Sequence, residues 1–229
     1  LMLTDQVDKR MDKVYSNANR LRLSDDDRLV IFSDLHMGNG GRRDDFVHNA
    51  PMFKKAMNDF YMKNDYDLAL NGDVEELHKF LLKTITRTWG KVFDIFHEMI
   101  DRGGMIKING NHDSEKWMLG ASSPLKVQPS DSFKLDYYGN ELLMFHGHQA
   151  SLRSDRLETA AHYIIRYGAR PLAINNFSVS NNLLRKYMIE KRVYEFAKKK
   201  KIMAIMGHTH RPLFESLSKV DYLKFKIEH

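Results

Sequence analysis

The chain of 229 residues has no cysteine at all. Disulfide staples, thiolate-bound copper and iron–sulfur clusters are therefore excluded, and a reducing compartment, the cytoplasm, is the expected location. No apolar run approaches the ~18 residues that a membrane span requires. A secretory leader is not visible either, because polar Asp5, Gln6, Asp8 and Lys9 interrupt the opening segment. The chain starts with Leu rather than Met, so a trimmed start is expected. With 42% hydrophobic residues, what remains is a chain able to bury a substantial core as one domain, or as one domain with a cap.

Against that background, histidine and aspartate cluster in five short stretches. In order they are Asp34-Leu35-His36, Gly72-Asp73, Gly110-Asn111-His112-Asp113, His146-Gly147-His148 and Gly207-His208-Thr209-His210. Each follows an apolar run that reads as a buried strand: Leu29–Phe32, Leu68–Leu70, Met105–Ile108, Leu142–Phe145 and Ile202–Met206. Several strand ends that all carry metal-binding side chains make a site assembled from across the domain.

In an extended segment, side chains two apart point the same way, so spacing alone lets Asp34 and His36 grip one ion, and His208 and His210 another. Glycines beside them allow tight turns and close approach. Carboxylate, imidazole and amide oxygen form a moderately hard set suited to Mn, Fe, Zn or Ni. Seven ligands are too many for one tetrahedral zinc but fit two ions that share a carboxylate. Two ions about 3.5–4 Å apart can clamp a phosphate and generate a hydroxide nucleophile near neutral pH.

Helical periodicity marks residues 4–20, a segment near Met52–Phe60 that Pro51 opens, and much of 76–101. Phe133–Tyr137 and Glu141–Phe145, joined by Tyr138-Gly139-Asn140, predict a β-hairpin whose second strand delivers His146. Strands alternating with helices, followed by a hairpin, imply an α/β (α+β) chain of sheet layers flanked by helices.

Taken together, the five stretches resemble the calcineurin-like metallophosphoesterase superfamily over residues 29–212. The resemblance implies a two-sheet β-sandwich with outer helices. It also implies that Asp34, His36, Asp73 and His210 hold one ion, while Asp73, Asn111, His146 and His208 hold the other, with Asp73 as the bridge. Manganese is the first expectation for the two divalent ions, with Fe, Zn or Ni as alternatives. His112 would stand at the leaving-group oxygen as a general acid and Asp113 would orient it. The implied reaction is hydrolysis of phosphate esters or nucleotide-type diphosphates by in-line attack on phosphorus. A nuclease or nucleic-acid phosphodiesterase is the alternative, and a non-catalytic scaffold would be expected to have lost ligands that this chain keeps.

The segment between His148 and Ile202 is too long for a bare loop and carries helical patterns, so 150–201 is expected to form a helical cap over the site. It holds 12 Lys/Arg against 4 Asp/Glu, a net of +8, while the rest of the chain has 24 against 26. Such basicity suits an anionic substrate or peripheral contact with a membrane surface; for nucleic acid it is compatible but unspecific. The Lys198–Lys201 run can equally complement a helix C-terminus. His148, Arg153 and Arg211, close to the motifs, are candidate substrate contacts. The insertion and the Arg-Pro after His210 resemble the UDP-2,3-diacylglucosamine pyrophosphatase-like branch. His112 and His148 depart from that branch, which commonly has Arg and Asp there, and imply instead an imidazole at the leaving group. Ser218–Ile227 fits helix or strand, and closing strands beyond it are expected to be missing. Oligomeric state is not legible.

Overall fold

A computed structural model of the chain describes residues 2–114, 117–118, 122–152 and 183–211. Helix α1 (Met2–Ser16) buries Val7, Met11 and Val14, spaced by about one turn each. It stops short of the expected residue 20 because strand β1 (Asn19–Leu23) begins there. Leu21 and Leu23 of β1 turn inward while Arg20 and Arg22 stay outside, the two-residue period of a half-buried strand.

Strands β2 (Leu29–Phe32), β3 (Asp67–Asn71) and β4 (Met105–Ile108) form a parallel three-stranded sheet in the order β2-β3-β4. Strands β5 (Ser132–Tyr137), β6 (Asn140–Phe145) and β7 (Met203–Ile205) join β1 in a four-stranded sheet ordered β1-β5-β6-β7. Only the β5–β6 pair is antiparallel. Its turn is Tyr138-Gly139, with φ of 48° and 82°, the doubly left-handed turn that matches strand twist.

Alternation along the strands divides the interior into three layers. Leu29, Ile31, Ala69, Ile106 and Ile108 of the first sheet meet Phe133, Leu135, Leu142, Met144 and Ile205 of the second. On the far side of the first sheet, Val30, Phe32, Leu68 and Leu70 pack under the helices. On the far side of the second, Leu143 and Phe145 face α1. The result is a sandwich of two sheets with a helical layer on each outer face, in agreement with the fold expected from sequence.

Helix α2 (Ala50–Ala56) starts on Pro51, runs into π-helical Met57–Tyr61 and a tight turn at Met62–Asn64, and ends at Asp65 with φ of 56°. The single helix expected over much of 76–101 is two: α3 (Leu82–Thr88) and α4 (Gly90–Asp101). Trp89 leaves the helical region between them, its indole Nε1 donating to Asp44 Oδ2 at 3.0 Å. Residues 75–80 are not helical, because Glu75 bridges to Met37 and Glu76 turns into the site.

Helix α5 (Leu183–Lys200) sits where the C-terminal part of the cap was expected. Its Ile189, Val193 and Phe196 bury against Val7, Met11 and Val14 of α1 and against β6, so this helix belongs to the outer layer behind the second sheet. Residues 153–182 of the expected cap, Arg153 included, lie outside the described residues, as do 212–229. No helix among the described residues is long and apolar enough to cross a membrane.

Candidate metal centre

All five motif stretches emerge at the same end of the two sheets, and main-chain hydrogen bonds stitch them together. The amides of Asp34, His36 and Met37 donate to the carbonyls of Gly72, Asp73 and Val74, which continues the β2–β3 pairing past the strands. The amide of His208 donates to both Asp34 oxygens at 3.0 Å, that of His112 to Asp73 Oδ1 at 2.8 Å, and that of Gly207 to the His146 carbonyl.

Backbone strain is concentrated here. Asp34, His36, Asp73, His208 and His210 all have φ between 48° and 69°, a region costly for residues with a Cβ and found most often at functional sites. The left-handed turns bring Asp34 and His36 together, with Asp34 Oδ1 3.9 Å from His36 Nε2, where the sequence suggested an extended segment. They also separate His208 from His210, which spacing alone had paired on one ion. Gly72 must lack a side chain, since a Cβ would lie 2.5 Å from His146 Nδ1 and 2.9 Å from the Gly110 Cα.

Three groups of ligand atoms result among the described residues, one of them His36, Glu76 and His112; the other two are made of residues expected to bind metal. Asp34, His36 and His210 form the first: His210 Nε2 lies 3.2 Å from Asp34 Oδ1 and 3.2 Å from His36 Nε2. Asp73, His146 and His208 form the second, with His146 Nε2 3.2 Å from Asp73 Oδ2. Asp73 Oδ2 is also 3.7 Å from His36 Nε2, so this one oxygen stands between the groups.

The tautomers make these sites suitable for cations. His36 Nδ1 donates to Glu76 at 3.1 Å and His146 Nδ1 donates to the Asn71 carbonyl at 2.9 Å, which leaves both Nε2 atoms turned inward. His208 Nε2 and Asn111 Oδ1 are buried and make no hydrogen bond, while His146 Nε2 faces Asp73 Oδ2. A buried acceptor without a donor is costly, and a divalent ion satisfies both.

Electrostatics agree. Burial would raise the Asp34 carboxyl, but the His210 hydrogen bond and the charge of His146 outweigh it and hold it at about 2. Asp73 is likewise held well below the usual range, against burial, by His146 and His112. Burial lowers His146, yet Asp73 and Asp34 carry it up to about 10. His208, depressed by burial and by the charge of His146, falls to about 3. Without metal the cluster therefore keeps a proton on His146 where a cation would otherwise neutralise the carboxylates.

Glu76 was not legible as a site residue. Fully buried, it holds His36 with one oxygen and His112 Nδ1 with the other, at 2.7 Å. The available signal was an acidic residue three positions after Asp73, masked by its place at the start of a helical pattern. Burial lowers His112, but Glu76 and Asp73 raise it to about 9. Asp113, expected to orient His112, is instead committed elsewhere. It accepts from the Val74 and Gly110 amides at 2.9 and 2.7 Å and faces Lys107. The His112 ring is further flanked by His78, with ring centroids 4.1 Å apart, and Trp117 Nε1 donates to the Asn111 carbonyl.

His148 lies behind the second group, its ring 5.6 Å from that of His146 and 6.3 Å from that of His208. Arg211 lies at a cavity of about 350 Å³ whose walls include Ser33, Asp34, Thr209 and His210. The family model described as calcineurin-like phosphoesterase matches residues 27–212, a span that contains all of these groups. No curated protein matches the chain.

Proposed function

We propose, on the premise that the chain belongs to the calcineurin-like phosphoesterase family, that it is a dinuclear metal-dependent hydrolase of phosphate esters or nucleotide-type diphosphates. Asp34, His36, His210 and Asp73 hold one ion; Asp73, Asn111, His146 and His208 hold the other. When bound, two divalent ions, manganese foremost, supply Lewis-acid activation of phosphate and a water acidic enough to attack near neutral pH.

The chain's own groups do the rest. Glu76 fixes Nδ1 of His112, so the ring presents Nε2 to the site, 3.9 Å from Asp73 Oδ2. From there His112 gives its proton to the departing oxygen. Glu76 also sets the His36 ring through Nδ1, coupling a ligand and the acid through one buried carboxylate.

The observation that carries this reading is the pair of buried acceptors, His208 Nε2 and Asn111 Oδ1, left without donors beside two ionised carboxylates. Hydrolysis of bis(4-nitrophenyl) phosphate and 4-nitrophenyl phosphate by chelated, then Mn²⁺-reloaded protein tests it. Activity absent before reloading and restored after it is expected; equal activity throughout contradicts it. A parallel arm with single-stranded DNA separates a nuclease from a small-molecule hydrolase.

A further inference from the structure

The chain between Asp73 and α3 is fastened at two points before it reaches His78. The Glu76 amide donates to the Met37 carbonyl at 3.0 Å, and the Leu77 amide donates to the His112 carbonyl at 3.2 Å. This path delivers two side chains to one imidazole. Glu76 accepts from Nδ1 of His112 at 2.7 Å, and the His78 ring lies along the same imidazole, with centroids 4.1 Å apart and planes inclined by 30°.

The two neighbours constrain different freedoms. The hydrogen bond to Glu76 fixes which nitrogen of His112 faces inward. It leaves the tilt of the ring open, because the χ2 torsion of histidine is broad and lacks sharp staggered wells. Tilt is therefore set by packing. His36 meets His112 at a right angle, with centroids 4.9 Å apart, and offers it no parallel surface. Among the described residues, His78 supplies the ring that stacks face to face.

His78 is itself backed. The indole of Trp117, 5% exposed, stands across its ring with centroids 4.9 Å apart and planes inclined by 86°. The same indole donates through Nε1 to the Asn111 carbonyl at 2.8 Å. One buried side chain thus ties the stack to the main chain that carries both Asn111 and His112. We infer that His78 is a positioning residue for the proton donor: its ring face sets the tilt of the His112 imidazole and so aims Nε2 at the departing oxygen. This rests on the hydrolase reading above and adds to it a residue that acts through His112. A donor tilted off that line stays beside the site yet transfers its proton poorly, since misplacement by about 1 Å costs on the order of 100-fold.

Two pairs of esters test the role: phenyl phosphate with 4-nitrophenyl phosphate, and diphenyl phosphate with bis(4-nitrophenyl) phosphate. Phenolate needs a proton on departure far more than nitrophenolate does. In Mn²⁺-loaded protein, His78→Leu removes the flat face and should lower kcat roughly 10–100-fold on the phenyl esters but less than about threefold on the nitrophenyl esters. Metal content should hold, and His78→Phe, which keeps a flat ring, should recover most of the loss. His78→Ala replaces the leucine variant if that one does not fold. A second readout needs neither metal nor substrate: the proton NMR signal of the His112 Nδ1–H bonded to Glu76, identified by its absence in His112→Ala. It should persist in His78→Phe and broaden or vanish in His78→Leu. An unchanged signal in His78→Leu, loss of its metal, equal losses on both ester classes, or a phenylalanine variant as slow as the leucine one overturns the positioning role alone. Hydrolysis of none of the esters by the loaded wild type overturns the hydrolase reading, and this inference with it.

Discussion

Two buried clusters of charge lie side by side in this protein, and they differ in where their counter-charge comes from. In one, Lys107 Nζ is 2.5 Å from Glu75 Oε2 and 3.7 Å from Asp113 Oδ2, while backbone amides bind both Asp113 oxygens. The chain closes this cluster itself, apart from Glu75 Oε1, and burial pushes the Glu75 carboxyl up. In the other, Asp34 and Asp73 face imidazoles whose inward nitrogens meet one another, as His36 and His210 do at 3.2 Å. No lysine or arginine is paired with these two carboxylates among the described residues, and His146 takes up the charge only by holding a proton. A structural cluster brings its own cation; a ligand cluster waits for one from solution.

That contrast is most severely tested at Asp73, whose Oδ2 stands between both groups. Asp73→Asn should lose metal and lower activity by about 10³-fold or more, the scale of several kcal/mol of electrostatic stabilisation. Asn111→Ala, at the edge of one group, should lose less metal. Two full equivalents retained by purified Asp73→Asn, measured by elemental analysis, would remove the bridging role.

His112→Ala should lower kcat by roughly 10²–10⁴-fold on alkyl esters and much less on nitrophenyl esters, which leave without a proton. Metal content should hold. An equal loss on both ester classes would assign His112 to phosphate stabilisation.

In the closed cluster, Lys107→Met should cost about 3–5 kcal/mol of stability by stranding Glu75 and Asp113, as removal of one partner from a buried pair does. Denaturant unfolding checks this, and metal loss without destabilisation would erase the distinction between the clusters.

The smallest effect is in pH. His146 is raised from 6.5 to about 10 in the metal-free protein, so its contribution to stability is full below pH 6.5 and is lost as pH rises towards 10. An ion replaces that proton, so loading near pH 7 should release on the order of one proton per chain and tighten as pH rises. Calorimetry in buffers of different ionisation heat reads the release; none at pH 7 would contradict the protonated state.

Much of this was written plainly in the sequence. Short apolar runs ending in Asp, His or Asn located five of the seven strands, since buried strands in a sandwich must be apolar and their ends are free to be polar. Tyr138-Gly139 announced the hairpin. What stayed hidden depended on long-range partners. β1 is two leucines alternating with two arginines, too weak a pattern to outweigh the helix before it, and it exists because β5 pairs with it in parallel. The break at Trp89 requires Asp44, 45 residues away. Glu76 takes the role expected of Asp113, because only the folded chain shows that Asp113 faces Lys107 and that Glu76 reaches both histidines. The reach of Glu190 on α5 to Arg211, at 3.2 Å, likewise has no trace in local periodicity.

The central claim is that the open cluster binds two divalent ions and the closed one binds none. Anomalous diffraction above and below the manganese edge, on crystals of Mn²⁺-loaded protein, addresses it directly. The account predicts two peaks, one among Asp34, His36, His210 and Asp73 and one among Asp73, Asn111, His146 and His208, with no peak at Glu75, Lys107 and Asp113. A single peak, or one displaced to Glu75 and Asp113, would contradict it.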